Sequence, residues 1–351
     1  MLSCHAMRRF CAVALLLSIQ KISWAVDLSP AQQEFSADLA QKFQALEKSH
    51  AHAVAGIDGW LFLPSELRFL SVGEFWGKNA AKVSRATKPE DADPLPSIVD
   101  FHEQLKKRGI ELLFVPVPPK AAIYPEKIVP QFNTGEDAAP FLHRFYDELR
   151  SRGVDVLDLS PIFLQHRDSE RGDVFCKTDT HWSGYGCVLA AERIAEKVRE
   201  KLKVQATQDS YSTEWQQIEI TGDLAQLLPS NSAKPGSEKI QVRNVSEKSG
   251  SGKIQSDSNS PLLLLGDSYT LVFHDFYAER AGLLDQLTNE LGVAPDLIGT
   301  RGSGATTVRV SLYRRTLKDP NYLSKKRVVA WCFSAREFSE ADLWSKVPVS
   351  K

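Results

Sequence analysis

Twice in succession this chain runs through a helix-patterned segment, a glycine and a β-rich stretch, and no other feature narrows its fold as much. Ile98 to Lys107 repeats apolar residues at helical spacing and stops at Gly109, just before ELLFVPVP (111–118). Phe141 to Arg152 does the same, stops at Gly153 and leads into VDVLDL (154–159). A strand reached through a helix rather than a tight hairpin lies parallel to its predecessor, because the helix must carry the chain back across the sheet. The runs PLLLLG (261–266), PDLIG (295–299) and RVVAWCF (327–333) add strands, with a helix through Leu291 after the first and one over 306–317 after the second. The expectation is an α/β fold, a mostly parallel sheet with helices on both faces. With 42% hydrophobic and 25% charged residues, a chain of this length has the apolar material for such a core.

Other segments frame that sheet. Leu28 to Ser49 has the spacing of a leading amphipathic helix, Trp60 to Leu63 reads as a short buried strand, residues 88–96 as a loop, and 184–202 as a further helix. Residues 205–260 change character: YSTEWQQIEITGDL alternates like a strand among Ser/Gly/Lys-rich stretches. They read as an insertion with a little antiparallel β-structure.

At the start of the chain, Arg8 and Arg9 precede an apolar run from Phe10 to Ile19 and then Ser23-Trp24-Ala25. That is the layout of a secretory signal peptide over residues 1–25, leaving 26–351 as one mature domain. The run is short of the roughly 20 residues that span a bilayer, so an uncleaved anchor is the alternative. A formal charge of −1 gives no bulk attraction to nucleic acid. Beyond the leader stand Cys176, Cys187 and Cys332, which an oxidising compartment would allow one disulfide, or which serve as three buried thiols.

Two stretches carry candidate chemistry. LLLLGDSYT (262–270) places Gly266-Asp267-Ser268 at the carboxyl end of a buried strand, where open α/β sheets bind ligands. Ser268 there stands before a helix start whose N–H groups can stabilise an oxyanion, or Asp267 and Ser268 simply cap that helix. A serine nucleophile needs a base. Of eight histidines, His181 in CKTDTHWSGYG (176–186) is the one with an acid, Asp179, two residues before it in a loop entering a helix. His274 falls on the helix expected after Ser268. Asp179 can fix the imidazole tautomer and stabilise the imidazolium. The competing readings are a metal site using Cys176, Asp179 and His181, for which no fourth ligand is visible, and ordinary helix capping.

Together DTHWSGYG and LLGDSYT resemble the SGNH-hydrolase-like domain of the alginate O-acetyltransferase AlgJ/AlgX family. The blocks GIDGWLFLPSEL (56–67), VPVPPKAAIYPE (115–126), GTRGSGATTVRVSLYR (299–314) and VVAWCFSAREF (328–338) extend the likeness over about residues 50–340. The acid and histidine precede the serine, the reverse of ordinary SGNH esterases, so the resemblance implies a flavodoxin-like sheet with circularly permuted motif order. It implies Ser268 as nucleophile, His181 as general base and Asp179 as its orienter, with an acetyl-serine intermediate and no cofactor or metal. It further implies a periplasmic setting, a polysaccharide acceptor (alginate first), a membrane-bound O-acyltransferase that supplies acetyl groups, and other export proteins as partners. A secreted acetylesterase and a catalytically idle polysaccharide-binding component are the alternatives. Only about 80 residues follow Ser268, which favours the AlgJ-like architecture without a carbohydrate-binding module. The second oxyanion donor is sought in the Gly302–Gly304 loop. Lys120, Arg301 and Arg336, near strand ends, are candidates to grip uronate carboxylates, and Trp182 and Tyr269 to stack on sugar.

Overall fold

The computed structural model describes residues 28–202, 210–229, 232, 234–248, 250 and 252–351. The signal peptide expected over residues 1–25 lies outside the described residues, and no helix among these is long and apolar enough to cross a membrane.

Among the described residues nine strands form three sheets: β1 (Val54–Ala55) with β2 (Leu61–Phe62), the hairpin of β5 (Tyr211–Ile220) with β6 (Glu238–Glu247), and a central five-stranded sheet. The last contains β3 (Glu111–Val117), β4 (Asp155–Val156), β7 (Leu262–Gly266), β8 (Asp296–Gly299) and β9 (Val328–Ser334). Its order is β4-β3-β9-β7-β8, and every neighbouring pair is parallel. Counted from β7 as the first strand and continuing through β9 into β3 and β4, the order across the sheet is 2-1-3-4-5, the flavodoxin-like arrangement entered at a different point. The switch point of that order lies between β7 and β9.

Every residue of β7 and β9 is buried, and all but the first of β3. Strands buried at successive positions are covered on both faces. The helix Pro94–Lys106 packs on β3, Gly184–Leu202 on β3 and β9, and Thr307–Lys318 on β7 and β8. Phe101, Phe114 and Phe333 surround Trp331 with ring centroids 5.0–5.2 Å away. Truncating one such ring to alanine costs ~3–5 kcal/mol. The Arg309 guanidinium is buried over Trp331 and Trp344, where desolvation lowers its pKa to about 9.

Three expectations need correction. The helix expected from Ile98 starts at Pro94, inside the expected loop, because Asp93 caps it by accepting from the Leu95 N–H at 3.0 Å and proline suits its first turn. The strand expected over 154–159 is confined to Asp155–Val156, since Asp158 turns the chain by accepting from the Ser160 N–H. No continuous helix follows Ser268: a 3₁₀ turn at Ser268–Thr270 gives way to an irregular segment, and the helix Leu283–Leu291 begins behind Gly282. Phe273 (φ 63°) and Tyr277 (φ 67°) take left-handed backbone conformations that a helix cannot contain. The antiparallel insertion exists as the β5–β6 hairpin, docked on Gly184–Leu202 and Leu283–Leu291.

Candidate active site

At the carboxyl end of β7 the backbone folds back sharply onto β9. A Cβ on Gly266 would lie 2.1 Å from the Cys332 carbonyl oxygen and 2.3 Å from the Thr270 methyl, so only glycine fits there. Asp267, fully buried, ties the turn down, accepting from the Tyr269 N–H at 2.9 Å and the Ser334 N–H at 2.8 Å. It is therefore a cap and a clamp between β7 and β9, leaving Ser268 accessible at the switch point. Heading the 3₁₀ turn, the Ser268 N–H has no partner within that turn.

The histidine arrives from the other side of the sheet. In the segment after β4, His181 Nδ1 lies 2.7 Å from Asp179 Oδ1, and Nε2 lies 2.8 Å from Ser268 Oγ. These are the distances of an acid–imidazole–hydroxyl relay. Burial alone would raise the Asp179 pKa, but the hydrogen bond and charge of His181, the Tyr277 hydroxyl at 2.6 Å and the Asp223 N–H at 2.9 Å outweigh it and hold the carboxylate well below the usual range.

Several residues build this loop from outside. Lys120, buried under Trp60 and Phe62, donates to the carbonyls of Cys176 (3.0 Å), Lys177 (3.3 Å) and Asp179 (2.7 Å). Glu238, from β6, accepts from the N–H groups of Lys177 and Thr178 and from the Thr178 hydroxyl. Asp223 accepts from the Thr180 N–H and hydroxyl while its own N–H binds Asp179. The Tyr269 hydroxyl donates to the Thr180 carbonyl at 2.8 Å.

Three sequence candidates for substrate contact are thereby corrected. Lys120 and Tyr269 are wholly buried with their polar ends spent on the loop, and Trp182 is buried against Tyr269 at 5.1 Å, so none offers a surface to a sugar or a uronate. Arg301 is exposed, its guanidinium 5.0 Å above the Phe276 ring, which is 5.6 Å from the His181 ring. Arg336 is half-buried and donates to Ser334 Oγ. Both therefore stand close to the relay. The 300–304 loop is also adjacent: a Cβ on Gly304 would lie 2.9 Å from that of Asp267.

Tyr277, Asp223 and Glu238 carry no sequence signal, since each reaches the loop across a long separation. Among the described residues Cys176, Cys187 and Cys332 are free and buried, in keeping with the three-thiol alternative. Asp179, His181 and Asp223 bring ligand atoms within 4.8 Å of one another. Their donor chemistry points elsewhere, because both imidazole nitrogens and both Asp179 oxygens are engaged by hydrogen-bonding groups. His274 pairs instead with buried Asp285 at 2.9 Å.

A second acid–histidine–serine contact occurs elsewhere. His143 Nδ1 lies 2.7 Å from Asp137 and Nε2 3.3 Å from Ser160 Oγ, but Asp158 also approaches Nε2, at 3.6 Å. Burial lowers the His143 pKa less than Asp137 and Asp158 raise it, and the net shift is upward. A favoured imidazolium makes a poor acceptor for a serine proton.

A parallel sheet of this order, with the serine after its functional first strand and the acid and histidine after its last, defines an SGNH hydrolase-like domain. Residues 53–308 match the family described as SGNH hydrolase-like domain, acetyltransferase AlgX, and the chain belongs to it. A probable alginate O-acetylase AlgJ of Pseudomonas aeruginosa is 29% identical over 237 residues, covering 62% of this chain and 55% of that protein. The AlgJ of Pseudomonas syringae pv. tomato is 26% identical over 248 residues, covering 66% and 57%. The chain thus spans little more than half the length of these relatives. Among solved structures, the O-acetyltransferase domain of Pseudomonas putida AlgJ superposes with a TM-score of 0.62 at 24% identity, over 82% of this chain and 92% of that one, a likeness of fold.

Proposed function

We propose that this protein is a periplasmic O-acetyltransferase acting on an exported bacterial exopolysaccharide, with alginate the first candidate. The observation that carries the reading is the unbroken line Asp179–His181–Ser268, at 2.7 and 2.8 Å, ending on an accessible serine at the switch point of the sheet. The AlgJ relatives, named as probable alginate O-acetylases, supply the substrate class.

Ser268 Oγ attacks the carbonyl carbon of an acetyl ester while its proton passes to His181 Nε2. The Ser268 N–H stabilises the tetrahedral oxyanion, with the 300–304 loop the candidate second donor. Collapse breaks the ester bond, and the leaving oxygen takes the proton from Nε2. A sugar hydroxyl then gives its proton to Nε2, attacks acetyl-Ser268 and leaves as the acetylated polymer, with the proton returned to Ser268. Water as acceptor gives acetylesterase activity instead. Asp179 keeps the proton of the resting imidazole on Nδ1. A membrane-bound O-acyltransferase supplies the acetyl group, other export proteins deliver the polymer, and Arg301 and Arg336 meet its carboxylates.

Mass spectrometry after exposure to an acetyl ester tests the mechanism. Wild type acquires one acetyl group on Ser268, and S268A acquires none and releases no acetate. Undiminished turnover by S268A overturns the reading. Release to water alone in the presence of polymer indicates an esterase, and absence of any adduct indicates an idle binding component.

A further inference from the structure

A groove runs between the β5–β6 hairpin and the start of the helix Gly184–Leu202. It consists of two cavities, of about 410 and 290 Å³, that share Arg171 as a common wall. The larger is within, and the smaller just below, the range typical of ligand sites. Trp215 of β5 and Tyr185 provide aromatic surface in the larger, their rings 6.3 Å apart. The same cavity is lined by Arg171, Arg193, Arg243 and His166, against the single carboxylate of Glu192.

The three guanidinium groups are not equivalent. Arg243 is bound to Glu290 at 3.0 Å and Gln286 at 2.8 Å, and Arg193 pairs with Glu196 at 3.1 Å. Arg171 is exposed, lies 5.0 Å above the half-buried Trp215 ring, and has no carboxylate within ion-pair distance among the described residues. Stacking on indole fixes the plane of a guanidinium while leaving its edge donors free, and that edge matches a carboxylate two bonds at a time.

The smaller cavity continues toward the His181 loop. It is mixed in charge, lined by Glu170, Asp173 and Glu238 together with Lys177 and Lys239, and Glu238 is the side chain that holds the backbone of Lys177 and Thr178.

We propose that this groove is an auxiliary binding site for a carboxylate-bearing glycan chain, with Arg171 gripping a uronate carboxylate and Trp215 and Tyr185 supporting the sugar rings. Two joined cavities suit successive residues of a polymer better than one small molecule. The proposal deepens the reading of the protein as an exopolysaccharide-modifying enzyme and rests on it for the acidic acceptor.

Calorimetric titration of S268A protein tests it without any turnover. The probes are an unacetylated oligouronate of about six residues and a neutral glucan oligomer of matching length. The oligouronate is expected to bind and the neutral oligomer to bind at least tenfold more weakly. Adding R171A, or separately W215A, should weaken oligouronate binding by tenfold or more, and R171K should recover only part of it because a lysine cannot form the planar fork. Arg171 is exposed, so R171A and R171K leave the core intact should W215A fail to fold. Equal affinity for the two oligomers, or R171A binding like its parent, overturns the proposal. Failure of the acetyl-serine mechanism would appear instead as an active S268A, leaving these titrations interpretable.

Discussion

Tyr277 donates to the Asp179 oxygen that faces away from the imidazole, while Asp223 supplies a backbone N–H to the same atom. These two contacts fix the carboxylate plane, and through it the His181 ring. A hydrogen bond to a charged acceptor is worth about 1.5–3 kcal/mol. Y277F should therefore lower kcat for acetyl-ester turnover by about tenfold or more and lower stability by about 1.5–3 kcal/mol, read by steady-state kinetics and calorimetry. Lys120 acts at one remove. K120M would leave three carbonyls of the loop without their buried donor, and it should destabilise the protein by ~3 kcal/mol as well as abolish most activity, measured by chemical denaturation beside the same assay. Asp179, His181 and Ser268 were legible in the sequence because each sits in a short stretch whose composition already implies a turn or helix start. Lys120 was legible as notable and misread as a substrate contact. Nothing local distinguishes a lysine that points at solvent from one aimed at the underside of a loop about sixty residues away.

The segment between the Ser268–Thr270 turn and the helix at Leu283 could not be read from its pattern, since its apolar residues mimic a continued helix. Its course depends on left-handed residues at Phe273 and Tyr277 that nothing in their chemistry favours, so tertiary contacts impose it. The facing 300–304 loop is tied down by Ser303, which donates to Glu337. Burial pushes the Glu337 pKa up to about 7, against the opposing pull of Arg336 and this hydrogen bond. A folded pKa above the unfolded one means that the native state holds the extra proton. Stability is then greatest below pH ~4.5 and declines as pH rises toward 7, by ~3 kcal/mol in all. E337Q keeps an acceptor for Ser303 without the ionisation, and it should flatten that decline in denaturation curves recorded between pH 4.5 and 7.5. β3, β7 and β9 were legible because a strand covered on both faces announces itself as a mostly apolar run, whereas β4, at one edge of the sheet, proved much shorter than its pattern.

At the scale of the whole molecule, no disulfide joins the cysteines of the described residues, and packing holds the domain together. Cys176, Cys187 and Cys332 are all buried, and desolvation raises each thiol pKa. They should resist alkylation in the native state and react together on unfolding, which mass spectrometry after iodoacetamide treatment checks at each position. The sheet order carries a different consequence. Among the described residues β9 is the last strand in sequence, yet it lies between β3 and β7 and joins the β3–β4 pair to the β7–β8 pair. The histidine loop follows β4 and the serine turn follows β7, so the two halves of the chemistry are joined in one sheet through β9. A chain cut before β9 should carry the residues of the relay without the strand that joins their two halves of the sheet.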